Sequence, residues 1–150
     1  MSVVEVEVKV SGLPRDLHGL RIIQLTDIHF GPFFGAADLR RAVAMANEAR
    51  PHLTVLTGDL ITRRGDDLAG CLREMKVLRA EAGVYGCHGN HEYYAGLDTA
   101  LEFMRHSGFT VLRGESKDIG PIVIAGVDDR AAIQTKSGTP SSDGVALAGT

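Results

Sequence analysis

The chain has 150 residues, enough for one domain with a sizeable core and too few for two independent domains. Its formal net charge of −3 comes from interspersed acidic and basic residues, which argues against a nucleic-acid-binding surface. With 44% hydrophobic residues and no apolar run near the roughly 20 residues of a membrane-spanning helix, the composition is typical of a soluble globular protein.

The cysteine content indicates a reducing compartment. Cys71 and Cys87 are too few for a disulfide framework, and they lack the Cys-x-x-Cys spacing of a structural zinc site. We interpret them as two buried thiols. Because the first ten residues contain neither a basic leader nor an apolar run, we expect no signal peptide and a cytoplasmic location.

The first half of the chain alternates between strand and helix patterns. Residues 4–10 alternate Val with Glu or Lys, which predicts a half-buried edge or outer strand. Residues 21–25 predict a more deeply buried strand. Apolar positions at helical spacing predict a helix over residues 38–50, which Pro51 ends, and a short apolar strand follows at 53–56.

The second half continues this alternation as far as Asp129. The patterns predict further helices over residues 68–78 and 97–104, and further strands at 83–87, 109–112 and 122–125. This order predicts an α/β domain with parallel central strands joined by crossovers. Residues 131–150 are rich in Gly, Ser, Thr and Ala, and we interpret them as a loop or a frayed tail.

Three polar runs each follow a predicted strand. Since ligands of parallel sheets gather at the carboxyl ends of the strands, we expect the three runs to meet at one edge. The runs are Thr26-Asp27-Ile28-His29, Thr57-Gly58-Asp59 and Gly89-Asn90-His91-Glu92.

The residue types in these runs suit a cation. Asp27 and His29, two residues apart, point to one side of a pleat and can grip one metal ion, and Asp59 can bridge two ions through its two carboxylate oxygens. Asn90 adds a neutral carbonyl, and His91 stands beside a carboxylate that can orient it. Each run also has a simpler interpretation as a helix cap or polar turn.

Taken together, in this order, the runs resemble the calcineurin-like metallophosphoesterase family, whose pattern begins Asp-x-His, Gly-Asp, Gly-Asn-His-Asp/Glu. The resemblance covers roughly residues 20–129. The sequence around residues 24–32 and 89–94 is similar to that of a bacterial branch of the family, which includes membrane-associated phosphodiesterases and UDP-diacylglucosamine pyrophosphate hydrolases. The implied fold is the N-terminal part of an αββα sandwich, with a mixed sheet of mostly parallel central strands and flanking helices.

The resemblance also implies a chemistry. Asp27 and His29 would hold a first metal ion, Asp59 would bridge, and Asn90 would belong to a second ion; the family commonly uses manganese, iron or zinc. A bridging hydroxide of this dinuclear centre would cleave a phosphodiester or pyrophosphate. His91 would then not be a ligand but would donate a proton to the leaving oxygen, with Glu92 as its orienting partner.

The family pattern continues with a histidine on a later strand and a Gly-His-x-His run, and neither occurs after Asp129. We therefore divide the chain into residues 1–129, the N-terminal part of a metallophosphoesterase domain, and a tail at 130–150. We expect a truncated chain with impaired hydrolysis. The alternative is a non-catalytic remnant that binds a ligand or partner.

Five aromatic residues near the runs leave two interpretations open. They can pack in the core and loops, or they can form an apolar rim for a lipid or aromatic leaving group. The expected partner is a phosphorylated small molecule or a lipid-linked substrate, with peripheral membrane contact in the second case and no nucleic acid. The residues are Phe30, Phe33, Phe34, Tyr93 and Tyr94.

Overall fold

A four-stranded parallel sheet forms the centre of the fold in this computed structural model, which describes residues 2–136. The predicted parallel α/β architecture is therefore confirmed. The strands lie side by side in chain order: β1 (Ile22–Leu25), β2 (Leu53–Leu56), β3 (Val84–Gly86) and β4 (Thr110–Val111).

Helices cover one face of this sheet. Leu39 and Val43 of α1 (Ala36–Glu48), Leu72 of α2 (Leu68–Met75) and Phe103 of α4 (Leu97–His106) belong to one buried apolar cluster. Leu56 of β2 joins the same cluster, so apolar burial fixes the helices against the strands. No helix of the described residues is long and apolar enough to cross a membrane.

A hairpin covers part of the opposite face. Strands β5 (Glu115–Asp118) and β6 (Val123–Gly126) pair antiparallel. Their loop and strand residues pack against a second apolar cluster built on Leu53, Tyr85 and Leu112. The hairpin therefore covers β2 and β3 on the face opposite the helices, which is the position of the second sheet in a sandwich.

Two expectations for the amino-terminal region are wrong. Residues 4–10 form no strand, and their valines are exposed, because no described strand lies alongside them to complete a ladder. Ile22 is half exposed instead of deeply buried, because β1 is an edge strand of the described sheet.

The structure adds four elements that sequence periodicity did not predict. They are a 3-10 helix (Arg15–Leu17), β5, the six-residue α3 (Asn90–Ala95) and the short α5 (Ala131–Gln134), which lies in the segment expected to be a loop or tail. The helical elements are too short for a period to show, and every residue of β5 is exposed, so β5 has no apolar pattern. The rest of the predicted tail, residues 137–150, lies outside the described residues, and the division of the chain at residue 129 stays a prediction.

The two thiols differ in burial. Cys71 lies in the main core, where burial and the nearby Glu92 raise its pKa to about 12. Cys87 is only half buried. The expectation of two buried thiols is thus confirmed for the first and only partly met by the second.

Candidate metal centre

The loops that follow β1 and β2 run side by side. The N–H of Asp27 donates to the carbonyl of Gly58 (3.2 Å), and the N–H of His29 donates to the carbonyl of Asp59 (3.0 Å). These bonds extend the parallel pairing beyond the strand ends. The first two polar runs therefore reach the same edge of the sheet, as the sequence predicts.

The third run touches the second at a pair of glycines. A Cβ at Gly58 would collide with the backbone nitrogen of Gly89, and Gly58 also has φ +89°, a conformation that side chains disfavour. A Cβ at Gly89 would in turn collide with the carboxylate of Asp59. Glycine at both positions is what allows the exit loops of β2 and β3 to approach this closely.

A buried carboxylate fastens these loops together. Glu92 is 0% exposed and accepts hydrogen bonds from the backbone N–H groups of Gly89 (2.8 Å), Asp59 (2.9 Å) and Leu60 (2.8 Å). Burial raises its pKa, and the three N–H donors oppose that rise. Both carboxylate oxygens of Glu92 thus accept hydrogen bonds from the backbone, in the loop that carries Asp59 and at the residue that precedes α3.

Three side chains converge at this edge. His29, Asp59 and His91 each offer a ligand atom, and these atoms all lie within 4.8 Å of one another. The imidazole rings of His29 and His91 meet edge to face with centroids 4.8 Å apart. The backbone N–H of His91 donates to Oδ1 of Asp59 (3.0 Å). Two imidazoles and a carboxylate are a donor set that suits manganese, iron or zinc.

The other two predicted ligands are Asp27, whose carboxylate is not part of this group, and Asn90, which adjoins it in sequence. Asp27 is exposed, and its Oδ2 accepts a hydrogen bond from the hydroxyl of Thr26 (2.6 Å). Asn90 is the half-buried first residue of α3, next to His91. Asp27, His29 and Asp59 have φ of 53°, 46° and 53°. Such left-handed conformations at non-glycine residues cluster at functional sites.

His91 has a different hydrogen-bond partner from the one expected. Its Nδ1 lies 2.6 Å from the carbonyl oxygen of Thr62, whereas the expected partner Glu92 is engaged by backbone N–H groups. The hydroxyl of Thr62 lies 3.2 Å from Nδ1 of His29. Sequence analysis missed Thr62, and a single threonine in a loop carries no signal that could have revealed it.

Three of the four remaining histidines have hydrogen bonds or ring contacts that account for them, and the fourth, His18, is exposed. His52 accepts a hydrogen bond from the N–H of Arg21 (2.9 Å), and His106 lies 3.1 Å from the carbonyl of Glu102 at the end of α4. His88 is buried after β3 and packs against the rings of Tyr93 and Phe103. None of the three belongs to the three-residue group at the sheet edge.

The five aromatic residues divide between the two interpretations. Phe30 and Tyr93 are buried, as packing residues would be, and Phe34 is half buried. Phe33 is fully exposed, and Tyr94 is exposed with its ring centroid 6.1 Å from that of His91. Packing therefore accounts for the first two, and the last two remain available for a rim.

Comparison with known proteins gives consistent matches. Residues 20–141 match the family model of calcineurin-like phosphoesterases. The chain is 36% identical over 138 residues to a zebrafish (Danio rerio) transmembrane protein with a metallophosphoesterase domain, covering 87% of this chain and 32% of that protein. It is 33% identical over 132 residues to an uncharacterised metallophosphoesterase of Campylobacter jejuni, covering 87% of this chain and 34% of that protein.

A Bacillus subtilis relative, the uncharacterised metallophosphoesterase YkuE, is 31% identical over 131 residues, which cover 81% of this chain and 46% of that protein. The chain thus spans between about a third and a half of the length of these relatives. Because the family model matches most of its residues, this chain belongs to the calcineurin-like phosphoesterase family.

Proposed function

We propose that this chain takes part in metal-dependent hydrolysis of phosphoester bonds, with a phosphodiester or pyrophosphate as substrate. The observation that carries the proposal is the convergence of His29, Asp59 and His91 within 4.8 Å at the edge of the sheet. Asp27, His29, Asp59 and Asn90 are the proposed residues that hold two divalent cations, and His91 lies next to them without being a ligand. The bound cations would supply Lewis acidity that activates water and offsets phosphoryl charge.

His91 is the proposed proton donor. A carbonyl oxygen can only accept, so the 2.6 Å contact with Thr62 places a proton on Nδ1 of His91. Nε2 is then the nitrogen that can exchange a proton with a leaving oxygen. Glu92 is the proposed positioning residue for the loops, because its carboxylate is bound by three backbone N–H groups.

The test uses the purified chain with manganese or zinc. We expect calorimetry to detect cation binding, and we expect added cation to support cleavage of bis-p-nitrophenyl phosphate. Asp59→Asn should abolish both, whereas Asp16→Asn, which alters an exposed carboxylate that precedes β1, should change neither. Turnover that persists in a chelator would contradict the proposal. Cation binding without turnover at any metal concentration would favour the non-catalytic alternative.

The exposed aromatic pair supports a lipid-linked substrate and a peripheral membrane contact. Phe33 lies in the loop between His29 and α1, and Tyr94 lies beside His91, so both are exposed aromatic side chains on segments that carry proposed site residues. We expect long-chain phosphodiesters to be cleaved more efficiently than bis-p-nitrophenyl phosphate. Replacing Phe33 and Tyr94 by Ser should remove this preference, and equal rates for both substrates in the unaltered chain would contradict it.

A further inference from the structure

Thr62 contacts both histidines of the proposed centre through different atoms. Its side-chain hydroxyl lies 3.2 Å from Nδ1 of His29, and its backbone carbonyl lies 2.6 Å from Nδ1 of His91. A single residue of the loop after β2 therefore contacts the imidazole of His29, from the loop after β1, and that of His91, from the first turn of α3.

These contacts decide which ring nitrogen faces the centre. Because both Nδ1 atoms are engaged by Thr62, each ring leaves Nε2 for a cation or a substrate. Partners on the far nitrogen commonly fix the orientation of metal-binding imidazoles.

The loop holds Thr62 in place from both sides. On the preceding side, Leu60 and Ile61 are buried in the main core. On the following side, Oδ2 of Asp66 accepts hydrogen bonds from the N–H groups of Thr62 and Arg63, both at 2.9 Å. An exposed threonine is thus presented by an ordered backbone, which is what an orienting group requires.

We infer that Thr62 is a positioning residue that fixes the ring of His29 with its Nε2 toward the proposed cations and the ring of His91 with its Nε2 toward the substrate, an inference that rests on the proposed function for its catalytic meaning. The hydroxyl acts on His29 alone, since the contact with His91 uses the backbone. A substitution of the Thr62 side chain should therefore affect the ring of His29 and not that of His91.

The first experiment observes the imidazole nitrogens by NMR in the metal-free chain. Thr62→Val, which keeps the shape and removes the hydroxyl, should shift the ring resonances of His29 and leave those of His91 unchanged. Thr62→Ser should restore the His29 resonances. Thr57→Val is the matched control, because it removes a hydroxyl of the same loop that accepts a hydrogen bond from Gln24 (2.8 Å). Unchanged His29 resonances in Thr62→Val would overturn the inference.

The second experiment measures the Kd for manganese by calorimetry. We expect Thr62→Val to raise it about tenfold, the lower end of the effect of removing partners of metal-binding histidines. Thr62→Ser and Thr57→Val should stay within about twofold of the unaltered chain. A Kd that Thr62→Val leaves within about twofold would count against the inference. If the unaltered chain binds no manganese, the proposed function fails, whereas the NMR comparison still decides whether Thr62 positions His29.

Discussion

The side chain of Glu92 binds the backbone beside the proposed site and makes no hydrogen bond with the side chains of the site. Its carboxylate joins the loop after β2 to the start of α3, the two segments that carry Asp59 and His91. The bond to Gly89 has the geometry of a capping box, in which the third helical residue accepts from the cap. The other two bonds reach across to a neighbouring loop, so the same group also sets the distance between loops.

We predict that Glu92→Gln destabilises the fold by about 1–3 kcal/mol, because an amide offers one acceptor oxygen and would place its N–H groups against buried backbone donors. Urea unfolding checks this. Glu102→Gln, at an exposed position of α4, is the control and should be nearly neutral. A Glu92→Gln variant as stable as the unaltered chain would contradict the importance of the three hydrogen bonds.

His88 predicts a dependence of stability on pH. It is 3% exposed, and burial together with the nearby Arg113 lowers its pKa from 6.5 to about 4, while Asp128 acts in the opposite direction. Between these values the unfolded chain binds a proton that the folded chain does not, so stability is lost as pH falls from about 6.5 to 4. The loss from this group is at most roughly 3 kcal/mol.

The comparison with His88→Gln isolates this effect, because Glu92 has a raised pKa and contributes the opposite trend. In a chelating buffer, we expect the unaltered chain to lose stability relative to His88→Gln over this pH range. A difference in unfolding free energy that is constant with pH would show that His88 is not held neutral.

At the scale of elements, α3 is a six-residue helix that depends on contacts at both of its ends. Glu92 holds its first turn. Beyond that turn, the buried Tyr93 donates from its hydroxyl to Oδ1 of Asp128 (2.6 Å), and Arg113 donates to the same oxygen (3.0 Å). Burial and the bond to Asp128 raise the pKa of Tyr93, so its proton stays in place as the donor.

We predict that Asp128→Asn destabilises the chain by about 3 kcal/mol, because it removes one charge of a buried ion pair with Arg113. Hydrogen exchange should accelerate most in α3, which Asp128 contacts through Tyr93. Asp129→Asn makes the same change one residue later, at an exposed group that caps the N–H of Ala131, and should have a much smaller effect. Equal effects of the two substitutions would contradict the assignment.

Prediction from sequence succeeded for the elements with a clear period. The strand at 53–56 matches β2, and α1 and α2 lie within two or three residues of the predicted bounds. It failed where the deciding partner is remote, as for residues 4–10. Their alternating valines satisfy the strand pattern, but a strand also needs a neighbour.

At the scale of the molecule, one face of the sheet is only partly covered. The hairpin β5–β6 packs over β2 and β3, whereas Ile22 of the edge strand β1 remains half exposed. The valines of residues 3–10 are also exposed. Strand-like apolar surface is therefore left uncovered by the other described residues.

We predict that the purified chain self-associates through residues 3–10, because an alternating apolar segment without a partner strand readily pairs with another copy. Replacing Val6 and Val8 by Lys should lower the average mass in analytical ultracentrifugation. Replacing Val77, an exposed valine that follows α2, by Lys should not. A purely monomeric unaltered chain would contradict the prediction.

The sequence by itself determined the alternation of strands and helices and the placement of three polar runs at one edge of a parallel sheet. Both follow from local periodicity, because burial on one side of a strand or helix is written into neighbouring residues. Only the tertiary structure decided that Thr62 contacts Nδ1 of two histidines, that Glu92 accepts hydrogen bonds from the backbone and that Asp128 accepts one from the hydroxyl of Tyr93. These contacts join residues up to 35 positions apart, and they exist because loops from adjacent strands pack together.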